Sequence, residues 1–504
     1  MSPNGRTIAF ISKREQDSQS NIALLDVASG KVQQLTSEKQ EGVRWGVVSW
    51  TDGGRSLIAV REDAKAMNSG IWKIDIASAK AVPVAENAGT QLTAAGASPD
   101  GRVIAASSDA SGQMRAGLLD TANGQWKWLT PTPWEQFATD VTPDGKVMIV
   151  RTNEDGRSFL SVVDMATGSE RRLSLPPGRN STIGARAFSA DSRFMLATHA
   201  GADTPTELYV VDLKSSEAPR RVTRLAMASL DPAALPKSDV VTYRSFDGTL
   251  ISAIVTMPAN LKRDGSNPAV VLPHGGPTGQ AQDGFTKNAV ALASRGFITI
   301  APNFRGSSGY GAAFQNANRM DLGGGDLKDV IAAKHFLVDS GYVDGKRVGI
   351  AGESYGGFMT LMAIGRAPDE FAAAVQSYGI NDWKALWDAS DPFIQQYQKG
   401  LMGDPATNAD VYKASSPLTY LGQAKAPLLS LQGENDIRVP REQAQRLSER
   451  LKANGRVAET VFYADEGHGF AKRENQIDAL QRTIEWFERY LKRGEASVIR
   501  TIAR

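Results

Sequence analysis

Cysteine is absent from the 504 residues, which excludes disulfides and thiolate metal sites and leaves the redox compartment unmarked. Histidine occurs only four times, widely spaced, so a catalytic zinc is not expected. There is no GxxxxGK[ST] phosphate loop, and no cofactor is expected either. An excess of one charge is also missing. Lys and Arg total 57 against 55 Asp and Glu, a net charge of +2, which gives no electrostatic reason for a nucleic-acid or anionic-membrane partner. No apolar run approaches the length of a membrane helix. The longest, around PAVVLPHGG and GFITIAP, have the length of buried strands. The opening MSPNGRTIAFISKREQ carries neither the apolar core nor the cleavage site of a secretory signal, which implies a cytoplasmic protein or a chain lacking its start. The expected partner is a small ligand or a peptide, and nothing excludes a homo-oligomer.

What is present begins with repeats. A turn followed by an apolar run recurs at Ser2, Thr51, Ser98, Thr142 and Ser189, in copies 44 to 49 residues apart. About twenty residues after each comes a second signature of the type IALLDVASGK, with its acidic residue at Asp26, Asp75, Asp120, Asp164 and Asp212. This period is that of propeller blades built from four short strands, and the Pro-Asp-Gly and Ala-Ser-Gly segments supply hairpin turns. The repeated Asp residues read as turn and strand-end residues without chemistry. The first repeat starts directly in its turn, with nothing ahead of it to form an outermost strand or to close a ring, so a shortened propeller of about five blades is expected.

A chain this long exceeds one core, and the pattern changes after Asp212. A polar stretch with Pro232 and Pro236 leads into TYRSFDGTLISAIVTMP, a strand hairpin, and the boundary is placed near residue 235. Residues 1–235 then form an all-β propeller-like domain. Residues 236–504 alternate buried-type strands with helices, as in a parallel sheet covered on both faces, and end in the amphipathic IDALQRTIEWFERYLK.

GESYG at Gly352 is the only GxSxG in the chain. It follows the apolar VGIA and opens into GGFMTLMAIGRA, the strand-turn-helix junction of an α/β-hydrolase nucleophile elbow, so Ser354 is the candidate nucleophile. A serine hydroxyl needs a base. His199 lies in the repeats, His274 precedes the nucleophile and His335 lies in a predicted helix. His468, in the glycine-bounded ADEGHGF, alone follows Ser354, and the order Ser, acid, His selects it. For the acid, Glu434 and Asp436 both follow the strand APLLSLQG. Asp436 is preferred because it lies further into the loop and its shorter side chain holds an imidazole more rigidly, with Glu434 the alternative. The N–H of Tyr355 is one oxyanion donor. The turn His274-Gly275-Gly276-Pro277 lacks an N–H at its proline, so a side-chain donor elsewhere is expected to complete the hole.

HGGP at His274, NFRGSSGYG at Asn303, GESYGG at Gly352, GENDIRVP at Gly433 and EGHGF at Glu466, in this order, resemble the prolyl oligopeptidase family of serine peptidases, most closely its acylaminoacyl-peptidase and bacterial dipeptidyl-peptidase-like branch. The resemblance implies Ser354, Asp436 and His468 as the triad, an acyl-enzyme mechanism on short peptides, and a propeller that restricts entry. It also implies that the Tyr310 hydroxyl completes the oxyanion hole, that Arg438 binds a substrate carbonyl, and that SYGINDW helps line the pocket before the scissile bond. Dipeptidyl peptidases of the family anchor the free amino terminus with paired glutamates. This chain has no Glu-Glu dipeptide, which favours acyl-blocked or internal peptides. The competing expectations are an esterase on the same fold and a propeller scaffold with an inactive hydrolase half.

Overall fold

The structure, a computed structural model, describes all residues except 15, 65–67, 185–186, 226–230, 260 and 493–504. Five small antiparallel sheets make up the N-terminal half. The first holds β1 (Thr7–Ser12), β2 (Asn21–Asp26) and β3 (Val32–Gln34). The second holds β4 (Arg44–Thr51), β5 (Ser56–Glu62), β6 (Ser69–Asp75) and β7 (Ala81–Glu86), and the third β8 (Leu92–Ala97), β9 (Val103–Ser108), β10 (Arg115–Asp120) and β11 (Trp126–Trp128). The fourth holds β12 (Glu135–Val141), β13 (Val147–Glu154), β14 (Arg157–Asp164) and β15 (Glu170–Arg172), and the fifth β16 (Arg179–Thr182), β17 (Phe194–Gly201), β18 (Thr204–Asp212) and β19 (Arg220–Arg221).

The repeats build these hairpins in one way. In Ser-Pro-Asp-Gly, Asp100 Oδ1 accepts from Arg102 N–H and Ser98 Oγ, while Gly101 takes the left-handed conformation at φ +66°. Thr142 with Asp144 and Ser189 with Asp191 repeat the turn. In the second signature, Asp26, Asp75 and Asp164 each accept the N–H and hydroxyl of the residue three positions on. These aspartates are turn scaffold.

The two signatures supply the second and third strands of each four-stranded sheet. In the first sheet they supply β1 and β2, so the strand it lacks corresponds to β4, β8, β12 and β16. That strand is not an outermost one, as the sequence suggested. The last strands β3, β11, β15 and β19 are the exposed ones, whereas β4 meets β8 and β8 meets β12 from sheet to sheet.

The C-terminal half is built on one eight-stranded sheet of order β20-β21-β23-β22-β24-β25-β26-β27. Its strands are β20 (Lys237–Arg244), β21 (Leu250–Met257), β22 (Asn267–Val271), β23 (Ile298–Pro302), β24 (Val343–Glu353), β25 (Ala373–Ser377), β26 (Leu428–Gly433) and β27 (Ala458–Tyr463). The β20–β21 hairpin is antiparallel, and β23 to β27 run parallel. The helices are α1 (Lys287–Ser294), α2 (Ala312–Gln315), α3 (Gly325–Asp339), α4 (Tyr355–Arg366), α5 (Trp383–Ala389), α6 (Pro392–Met402), α7 (Ala409–Ala414), α8 (Arg441–Ala453) and α9 (Arg473–Phe487). Adjacent β22 residues enter opposite cores. Val271 packs with α3 and α4 residues such as Val330, Phe358 and Met362, and Val270 with Leu292 of α1 and Trp486 and Phe487 of α9. A strand buried on both faces has to be apolar throughout, as the run PAVVL is. This is a propeller-like domain followed by an α/β-hydrolase domain.

The halves meet along the segments 280–283 and 307–312. Arg157 pairs with Asp283 at 2.6 Å, Asn153 Nδ2 donates to Gln280 Oε1 at 2.9 Å, and the N–H groups of Gly311 and Ala312 donate to Glu135 Oε1 and Gly112 O. From the other side, Arg305 forms a bidentate pair with the fully buried Asp329.

Candidate active site

Ser354 stands between β24 and α4 at φ +56°, ψ −118°. A non-glycine residue there is strained, and the turn tolerates no side chains on its flanks. A Cβ on Gly352 would lie 2.2 Å from Gly356 O, and one on Gly356 would lie 2.1 Å from Pro273 O. The sharpness of the turn thus explains the glycines of the motif.

The Ser354 hydroxyl is 2.9 Å from His468 Nε2, and His468 Nδ1 is 2.9 Å from Asp436 Oδ2. The other carboxylate oxygen, Oδ1, accepts the N–H groups of Arg438 and Val439 at 2.8 and 2.9 Å. With Oδ1 taken up by two N–H donors, Oδ2 is placed to accept an Nδ1 proton, which leaves Nε2 facing the serine as acceptor. Glu434 is not at the imidazole; it pairs with Arg441 at 3.5 Å. Buried Glu466 accepts from the N–H groups of Ala471 and Lys472 and from Asn475, and so ties down the His468 loop. Burial pushes its carboxyl up, but those bonds outweigh burial and leave it below the usual range.

The remaining histidines are engaged elsewhere. His199 bonds Asn180 within the fifth sheet, and His335 on α3 lies 3.2 Å from Glu370. His274 contacts Gly275 O through Nδ1 and Ser307 Oγ through Nε2, both at 2.7 Å. Burial pulls its imidazole down to about 4, so it is neutral at pH 7.

Tyr355 begins α4, and its N–H, together with that of Gly275, has no partner among the described residues. Gly275 lies against the nucleophile: a Cβ on it would be 3.6 Å from Ser354 Cβ and 3.3 Å from Glu353 O. Tyr310, expected from the resemblance as a second donor, is engaged with both halves in this structure. Its hydroxyl accepts from Asn303 Nδ2 at 2.7 Å and donates to Asp155 Oδ1 of the β13–β14 turn at 3.2 Å, which makes it a tie between the two halves. Arg438 is exposed and makes no ion pair among the described residues. In SYGINDW, Tyr378 packs edge-on to His468 with centroids 4.9 Å apart and donates to Glu353 Oε2 at 2.7 Å.

Sequence reasoning passed over Gly275 and Tyr378. Gly275 lies inside the HGGP motif, whose proline has no N–H to give. No pattern marked Tyr378 apart from the motif around it.

Residues 283–494 match the prolyl oligopeptidase family. This region belongs to the prolyl oligopeptidase family. Among curated relatives of this family, the dipeptidyl aminopeptidase BIII of Pseudoxanthomonas mexicana is 28% identical over 427 residues, 82% of this chain and 55% of that protein. The uncharacterized peptidase YuxL of Bacillus subtilis is 30% identical over 315 residues, 61% of this chain and 47% of that protein. The chain thus spans about half the length of the curated relatives it matches. Its fold is shared with a puromycin-hydrolyzing peptidase of Mycobacterium tuberculosis, at a TM-score of 0.84 and 24% identity, covering 97% of this chain and 78% of that one.

Proposed function

We propose that this chain is a serine peptidase that hydrolyses short peptides through an acyl-enzyme. The observation that carries the reading is the continuous line from Ser354 Oγ through both nitrogens of His468 to Asp436, each step 2.9 Å. In this reading His468 Nε2 takes the serine proton as Oγ attacks the scissile carbonyl, and Asp436 holds the tautomer and stabilises the imidazolium. The negative oxygen that forms accepts from the N–H groups of Tyr355 and Gly275, aided by the positive end of α4. In this reading the N–H of Gly275 is the second donor, a role that the family resemblance gives to the Tyr310 hydroxyl. His468 then protonates the leaving amine, and water activated by the same nitrogen hydrolyses the acyl-enzyme. Arg438, exposed beside the acid, binds a substrate carbonyl. The reading includes a division of the chain near residue 235, between the last propeller strand, β19, and the first strand of the large sheet, β20.

Intact mass after fluorophosphonate treatment tests it. A single adduct is expected on the wild type and none on Ser354→Ala, whose folding should be unchanged because a serine at the elbow contributes little packing. Turnover of peptide anilides should fall by roughly 10⁴-fold or more in that variant. Cleavage of nitrophenyl esters with none of a broad peptide panel would reassign the chain as an esterase.

A further inference from the structure

Two arginines on the propeller side of the domain junction, Arg151 and Arg179, make no ion pair among the described residues. Arg151 on β13 stands over the ring of Phe137, 5.3 Å from its centroid, and its Nε is buried without a hydrogen-bond partner. Burial and the like charge of Arg179 hold its pKa below the usual arginine value, against the opposing pull of Glu135. Arg179, at the start of β16, lines a cavity of about 290 Å³ whose other walls include His274, Gly275 and Glu353. That cavity runs from a guanidinium to the turn that carries the nucleophile. Arg157, in the same region, is neutralised by Asp283 and Asp239, but Arg151 and Arg179 make no ion pair among the described residues. The one carboxylate in the cavity, Glu353, already accepts from Tyr378 and Asn288.

Arg179 is exposed and Arg151 half-buried, so the two like charges stand close together with the buried Nε of Arg151 unmet, and a carboxylate arriving with two parallel hydrogen bonds relieves that repulsion. The cavity is at the small end for ligand sites and ends beside Ser354, so the carboxylate has to belong to the molecule being cleaved. We propose that Arg179, with Arg151 behind it, is a carboxylate subsite that anchors the C-terminal end of a short peptide on the leaving-group side of the scissile bond. The inference rests on the peptidase reading above and deepens it. It makes the propeller half a gauge of how many residues follow the cut.

The test is calorimetric titration of the Ser354→Ala protein with three peptides of one sequence: the free acid, its C-terminal amide, and the amide with Glu in the last position. The acid should bind about tenfold more tightly than the amide or better, the value of one charge-assisted pair. Arg179→Gln in the same background should shrink that ratio to under about twofold. If the Glu-bearing amide matches the acid, the site takes any carboxylate in that place. If it matches the plain amide, the site requires the α-carboxylate. Equal binding of acid and amide, no binding of either, or a preference that survives Arg179→Gln overturns the subsite. Fluorophosphonate labelling of the wild type is read separately, so loss of the peptidase reading is told apart from loss of the subsite.

Discussion

His274 lies face to face with Phe304, with ring centroids 4.3 Å apart and planes 12° from parallel, and Phe304 in turn faces Tyr355 at 6.1 Å. The residue preceding one proposed oxyanion donor and the residue bearing the other therefore lean on the same buried ring. Serine 307 completes the brace from the domain junction through His274 Nε2. His274 is a positioning residue in this arrangement. His274→Ala should lower kcat on a peptide anilide by about 10²-fold, in the range found for loss of one oxyanion donor, with KM little changed. A kcat within about threefold of wild type would mean that Gly275 holds its place unaided.

Tyr310→Phe separates the two candidate donors. Its hydroxyl is spent on Asn303 and Asp155, so removing it should cost less than about tenfold in kcat/KM. A loss of about 10²-fold or more in kcat would return Tyr310 to the oxyanion hole.

The repeats were legible because hairpin turns impose side-chain chemistry: Asp and Gly sit where a backbone N–H needs an acceptor and where φ is positive. The first strands of the sheets, RWGVVSWT, LTAAGA, EQFATDV and RNST, share no motif, since each is shaped by the sheet it packs against. Their absence from the first repeat was therefore visible, but their location was not. In the site, Ser354, His468 and Asp436 stood out through chain order and local context. In the proposed mechanism Gly275 acts through its main chain, and in the proposed subsite Arg151 through what it lacks, and neither property is written in a residue pattern.

Asp326 gives a pH signature. It is fully buried under the elbow, accepts from Tyr355 Oη at 2.6 Å and from Asn318, and burial raises it to about 7 from an ordinary 3.8. Between those values the folded chain keeps a proton that the unfolded chain has lost. This group therefore makes stability fall as pH rises from about 4 to 7, by at most ~1.4 kcal/mol per pH unit, and its full cost stands above 7. Asp326→Asn keeps an acceptor for Tyr355 and removes the titration. Thermal unfolding should show the variant gaining on the wild type as pH rises from 5 to 8. Parallel curves over that interval would contradict a raised Asp326.

The first sheet has one partner for β1 where the other sheets have a further strand. Alternate amides of Thr7–Ser12 point to β2 and are held; of those between them, that of Thr7 donates to Ser2 Oγ, while those of Ala9 and Ile11 meet no strand among the described residues. In hydrogen exchange, β1 should then show an odd-even pattern of slow and fast amides that its counterparts β5, β9, β13 and β17 do not. Opening of the propeller half would begin at this sheet, well separated along the chain from the elbow, which is held between two cores.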